Sequence, residues 1–204
     1  MPELWQAHLT FALLAFVVLP DFGLSRFFKG TGLALLLAAS FIPVDGLALA
    51  AYMRSFTDDV AITTLVALVF FAAVRMRLVA PPSQSARVQL LLLMGGLSLF
   101  LYPATMGMAY FDPYQLGYSP RPLILLIGVA ALGLLALKNW LGVCMLGLAT
   151  LAFSLGLKPS PNYWDYLLDP FIALFSLGAL AVYAAKMLLR QLSAQQDSKK
   201  PVRL

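Results

Sequence analysis

The sequence predicts an all-α fold: a polytopic transmembrane helical bundle of about seven spans, with the N-terminus outside and the C-terminus cytoplasmic. Three observations carry this. The chain is 61% hydrophobic and only 11% charged, with a mean hydropathy of +0.86, whereas soluble domains average about 45–50% apolar and about 25% charged residues. Its apolar residues fall in seven stretches near membrane-spanning length. Its basic residues sort to one side when those stretches are threaded up and down. In water this composition would expose large apolar patches. In a bilayer, lipid accepts Leu, Ala and Phe on every face of a helix.

The first stretch, Leu4–Leu19, reads as a retained span. Glu3 stands where a cleaved leader would carry positive charge, and no small-residue cleavage site precedes Pro20 and Asp21. The next are Thr31–Tyr52, Val60–Val74 and Val88–Tyr110, then Pro122–Leu137, Leu141–Leu157 and Phe171–Leu189. A helix crosses the hydrocarbon core with about 20 residues, so the first, third and fifth are short and need interfacial extension. The fifth and sixth are separated only by Lys138, Asn139 and Trp140. They form a tight helical hairpin, either fully crossing or re-entrant. One transmembrane domain covers 1–190. The remainder, 191–204, is polar and basic and reads as a disordered cytoplasmic tail.

Orientation follows from charge. Arg26, Lys29, Arg75, Arg77, Arg87, Lys138, Lys186, Arg190, Lys199, Lys200 and Arg203 fall on one side, against Arg54, Arg121 and Lys158 on the other. Positive loops stay in the cytoplasm. Glu3, Asp58, Asp59, Asp112, Asp165 and Asp169 collect outside. Trp5, Trp140 and Trp164 fall at the two interfaces, as an aromatic belt would place them.

The outer loops are the most specific part of the sequence. The first runs from Tyr110 through Asp112, Tyr114, Tyr118 and Arg121; the second runs from Lys158 through Tyr163, Trp164 and Asp165 to Asp169. Both are dense in Pro, Tyr and Asp, and proline stiffens them. Asp169 suits a helix cap with Pro170 at the first helical position, and Asp112 suits a turn. Aromatic faces beside carboxylates also suit a ligand or partner surface. Asp45 reads as an intramembrane charge in the outer half of the second span, after a kink at Pro43. Pro103 and Thr105 sit at similar depth in the fourth span. Together these residues and the loop aromatics suggest an outward pocket, because charges within a membrane usually face a wet cavity. His8 and Gln6 lie near the outer end of the first span, where a headgroup contact is expected for His8.

Three function classes follow. The first is a non-catalytic subunit or binding protein whose outer aromatic and acidic surface meets a partner or a lipid-linked or envelope substrate. The second is a small transporter or flippase with its cavity at Asp45. The third is a membrane enzyme using external carboxylates. No cofactor is expected. His8 is the only histidine, which removes bis-histidine haem and His-rich metal sites, and the lone Cys144 leaves no intramolecular disulfide. The expected partners are the lipid bilayer and other membrane or envelope proteins, not nucleic acid, and the expected location is a bacterial cytoplasmic (inner) membrane.

Overall fold

The computed structural model describes residues 4–108 and 110–198. The fold is 72% helical with almost no strand. In order, the elements are α1 (Trp5–Val18), α2 (Arg26–Ala39), β1 (Pro43–Val44), β2 (Leu47–Ala48), α3 (Leu49–Thr57), α4 (Ile62–Arg75), α5 (Gln84–Thr105), α6 (Gln115–Tyr118), α7 (Arg121–Ala136), α8 (Trp140–Ser154), α9 (Trp164–Leu167) and α10 (Pro170–Ser198).

Two helical segments, Gln84–Thr105 and Pro170–Gln191, are long and apolar enough to cross a membrane. Four more apolar helices, α1, α4, α7 and α8, have 14 to 16 residues, about 21–24 Å at helical rise against a core of about 30 Å. The outward faces are apolar. Leu125, Val129 and Leu132 of α7 and Leu174, Phe175 and Leu189 of α10 all point away from the protein interior.

The interior is one apolar core shared by α4, α5, α7, α8 and α10, including Met94, Ile127, Met145 and Leu146. A second cluster, including Leu13, Phe16 and Leu65, joins α1 to α4. Glycines permit two of the close approaches. A Cβ on Gly142 would meet Leu134 at 2.6 Å and Leu90 at 2.8 Å, and one on Gly95 would meet Leu180 at 2.9 Å. The fifth and sixth stretches form the expected hairpin. Lys138 turns the chain with φ 58°. Asn139 then caps α8 through the Gly142 amide and ties the turn to α5 through Ala86 O at 2.9 Å and Gln89 at 3.0 Å.

The second stretch departs from expectation. Thr31–Tyr52 is not one span: α2 stops at Ala39, a two-stranded hairpin follows, and α3 begins at Leu49. The cause is local. Pro43 removes a helical donor, and Asp45 and Gly46 adopt φ 48° and 85°, the left-handed pair that a two-residue Asp-Gly hairpin turn requires. Pro43 pairs with Ala48 and Val44 with Leu47, so Pro43 lies in a strand and kinks no helix. At the C-terminus, α10 continues to Ser198. Residues 199–204, and Glu3 with its expected external charge, lie outside the described residues.

Side-chain bonds concentrate at the two ends of the bundle. At the basic end, the Arg75 guanidinium donates to Val17 O at 3.1 Å, Pro20 O at 2.7 Å and Leu19 O, closing the C-terminus of α1, and it stacks on Phe16 at 5.0 Å. Lys29, buried, donates to Asp21 at 2.7 Å and to Arg75 O at 3.1 Å. That hydrogen bond holds the Asp21 carboxyl below its ordinary pKa.

Candidate functional site: the interlocked cap

The opposite end carries the two Pro-rich loops, and they interlock. Proline keeps them from continuing as helix, so each folds into a short turn of helix, α6 and α9, held by side chains. Asp112 accepts from the Tyr114 amide at 2.9 Å and closes the turn into α6. The Trp164 indole donates to Pro113 O at 2.9 Å, and Asn162 donates from Nδ2 to Tyr114 O at 3.1 Å. The Tyr163 amide donates to Gly117 O at 3.1 Å. Gly117 must be glycine, because a Cβ there would overlap Asn162. Across this seam the Tyr114 hydroxyl donates to Asp165, which also accepts from Ser160. Burial, then the Asp165 charge, pushes the Tyr114 phenol well above its ordinary range.

Lys158 ties the second of these loops to a third, the connection between α3 and α4. Its ammonium is buried and donates to Asp59 O at 2.8 Å, Val60 O at 3.1 Å and Asp165 O at 2.8 Å. Burial lowers its pKa despite the acids around it. Asp59 pairs with Arg54 at 2.8 Å; burial raises its pKa, outweighing the pull of Arg54 and Lys158. Asp169 caps α10, as expected, accepting from the Ile172 amide at 2.8 Å, and it also accepts from the Ala61 amide at 2.7 Å. Thr63 donates to Leu167 O at 2.7 Å. Tyr163 meets Thr150 at 2.6 Å, and burial raises its pKa.

The expected site residues therefore separate. Tyr114, Tyr163, Trp164, Asp165 and Asp169 come together, as the inside of the cap. Trp164 and Tyr163 are 0% exposed, so Trp164 is a core residue and not part of an interfacial belt; Trp5 and Trp140 are exposed. Tyr110, Phe111 and Tyr118 are exposed on the rim, beside Met106 and Met108. Asp112, Arg121 and Thr105 are exposed, and Thr105 bonds back to Tyr102 O at 2.9 Å. Asp45 sits on the exposed hairpin turn, outside any helix. Neither Asp45 nor Thr105 lines the apolar cavities described here, so Pro43 and Pro103 do not splay two helices around a charge. His8 is buried. Its Nδ1 lies 2.9 Å from the Ser40 hydroxyl, and its ring stacks on Phe41 at 3.8 Å. The Ser40 hydroxyl donates to Leu37 O, so it accepts from His8, which fixes the Nδ1–H tautomer.

Sequence reasoning missed Lys158, Asn162 and Gln6 as cap residues. Lys158 was legible only as a basic residue on the wrong side of the charge split. Gln6 reaches Val60 O from α1, a contact with no local signal. Among the described residues no cluster of three or more His, Cys, Asp or Glu could hold a metal ion.

Comparison with protein-family models, with curated proteins and with solved structures gives no match. Functional assignment rests on the geometry.

Below the cap, a lateral cavity of about 480 Å³ separates α1 and α4 from α5 and α10. Its lining also includes Leu141 and Met145 of α8 and Arg87 of α5. A second apolar recess lies between Trp5, His8, Phe41 and Ala48.

Proposed function

We propose that this chain is a multi-pass membrane protein of about seven crossings, a non-catalytic subunit or binding protein that presents a rigid outer cap to a membrane or envelope partner. The crossings are α1, α2, α4, α5, α7, α8 and α10, with α3 and its hairpin on the outer surface. The basic end faces the cytoplasm and the cap faces out, in a bacterial cytoplasmic membrane. The short helices reach the interfaces through the cap at one end and the Arg75 cluster at the other.

One observation supports binding over catalysis. Three of the cap carboxylates are held in structural bonds: Asp165 to Tyr114 and Ser160, Asp169 to two backbone amides, and Asp59 through Oδ2 to Arg54. A general acid or base needs a free face toward substrate. Beside the exposed Asp112 and Arg121, the cap leaves open an apolar and aromatic set, Met106, Met108, Tyr110, Phe111 and Tyr118, the residue types enriched at interfaces. Asp45, on which a transport reading rested, is on an exposed turn. The test is the native mass of the protein extracted from its own membranes. Wild type should run as a larger assembly, and Phe111→Ala with Tyr118→Ala should run as the lone chain while remaining inserted. A wild-type mass equal to the lone chain, or an assembly untouched by the double variant, sinks the reading.

A further inference from the structure

The exposed rim of the cap carries two methionines in a fixed frame. At the end of α5 the Gly107 amide donates to Ala104 O at 3.0 Å and the Met108 amide to Pro103 O at 3.0 Å, with Gly107 at φ 79°. This is the paired bonding that ends a helix on a left-handed glycine. It fixes the backbone on both sides of Gly107. The flanking side chains, Met106 and Met108, are 70% and 71% exposed. Their thioethers are held outward by the helix end itself.

The other described methionines are placed differently. Met94 and Met145 are core residues. Met53 and Met76 are half-buried. Met187 lies in the apolar stretch Pro170–Gln191 of α10, where the membrane reading covers it with lipid. Met106 and Met108 alone among them stand mostly free at the cap end.

Oxidation of a thioether follows its exposure. A peroxide reaches these two sulfurs without opening the fold. The sulfur lone pair attacks one peroxide oxygen, so an S–O bond forms and the O–O bond breaks. The attacking oxygen's proton passes to the departing one, which leaves as water. Sulfur is oxidised by two electrons and the peroxide is reduced by two. The product replaces a flexible apolar side chain with a polar one. Tyr110 and Phe111 lie beside these methionines on the rim, and burying a polar group against such neighbours without a donor is costly.

We infer that Met106 and Met108 are a modification site for peroxides, and that their conversion to sulfoxides releases the partner from the rim. The release rests on the docking reading above; the modification itself rests on exposure alone.

The experiment treats the full Cys144→Ala chain, in its own membranes, with hydrogen peroxide. Peptide mass mapping should find Met106 and Met108 oxidised at least about tenfold faster than Met94 and Met145. Equal rates overturn the site. Native mass should then show the assembled fraction falling by roughly tenfold. Methionine sulfoxide reductases acting on both sulfoxide epimers should restore it. Met106→Leu with Met108→Leu, similar in volume and apolar, should assemble normally and hold through the same treatment. An oxidised parent chain that stays assembled, or a double leucine variant that comes apart under peroxide as the parent does, overturns the release. If the double variant does not assemble untreated, the reductase step decides: recovery supports release by sulfoxide, and no recovery overturns it. The two readings fail separately. An untreated parent that runs as the lone chain removes the docking reading and the release with it, while the oxidation rates still decide whether the site exists.

Discussion

The Tyr114 hydroxyl donates to both oxygens of the Asp165 carboxylate, at 3.0 and 3.2 Å, across 51 residues of sequence. This bond joins the two Pro-rich loops and sets the pH behaviour of the cap. Burial and the neighbouring carboxylate raise the Tyr114 pKa above its ordinary 10.0. A group raised on folding keeps its full stabilising contribution below its unfolded pKa and loses it as pH rises through the folded value. The cap should therefore hold below about pH 10 and weaken above it. Tyr163 shifts in the same direction. Lys158 shifts in the opposite one, so its own contribution improves as pH rises toward 10.5. Tyr114→Phe should cost about 1 kcal/mol near neutrality and reduce the alkaline loss, read by thermal unfolding across pH 8 to 12.

Lys158→Met should be among the most damaging single changes outside the hydrophobic core. It removes the donor to three carbonyls and leaves Asp59 O and Asp165 O without it, while Val60 O keeps Gln6, a loss of roughly 2 kcal/mol. Lys158→Arg should not rescue it, because a planar fork does not reproduce three convergent bonds from one ammonium. Proteolysis of the loops around Ser160 reports the outcome; wild-type resistance in Lys158→Met would contradict the cap as drawn.

Gly142→Ala should lower stability by about 1–3 kcal/mol, the usual range for overpacking, since its Cβ would press on Leu134 and Leu90. Gly147→Ala on the same helix meets nothing within 4 Å and should be neutral. Equal thermal midpoints for the two variants would refute close α5–α8 packing at Gly142.

Much of the helical order is legible in the sequence because long apolar stretches announce themselves by composition alone. What composition hides is a turn inside an apolar stretch. Phe41, Ile42, Val44 and Leu47 read as membrane-spanning helix, yet Asp45-Gly46 between them is a strong two-residue hairpin signal, outweighed in the reading by hydropathy. The caps at Asp112 and Asp169 are local and were readable. The burial of Trp164 and the reach of Lys158 and Gln6 are not local. They depend on three loops meeting at one end of the bundle, which no spacing in a single sequence encodes.

Asp45→Asn should leave both fold and function unchanged, since Asn-Gly supports the same turn. Gly46→Val should loosen the hairpin, costing roughly 1–2 kcal/mol, because a β-branched residue tolerates positive φ poorly. A complete loss of function in Asp45→Asn with normal insertion would restore an essential charge at that position.

The most direct test of the account is side-specific labelling of single cysteines in a Cys144→Ala background, at positions 45, 115, 84 and 138, with a thiol reagent that does not cross membranes. The account predicts labelling at 45 and 115 from outside the intact cell, and at 84 and 138 only after the membrane is opened. Labelling of 138 from outside, or protection of 45 until the membrane is opened, would contradict the seven-crossing arrangement and the placing of the cap on the outer face.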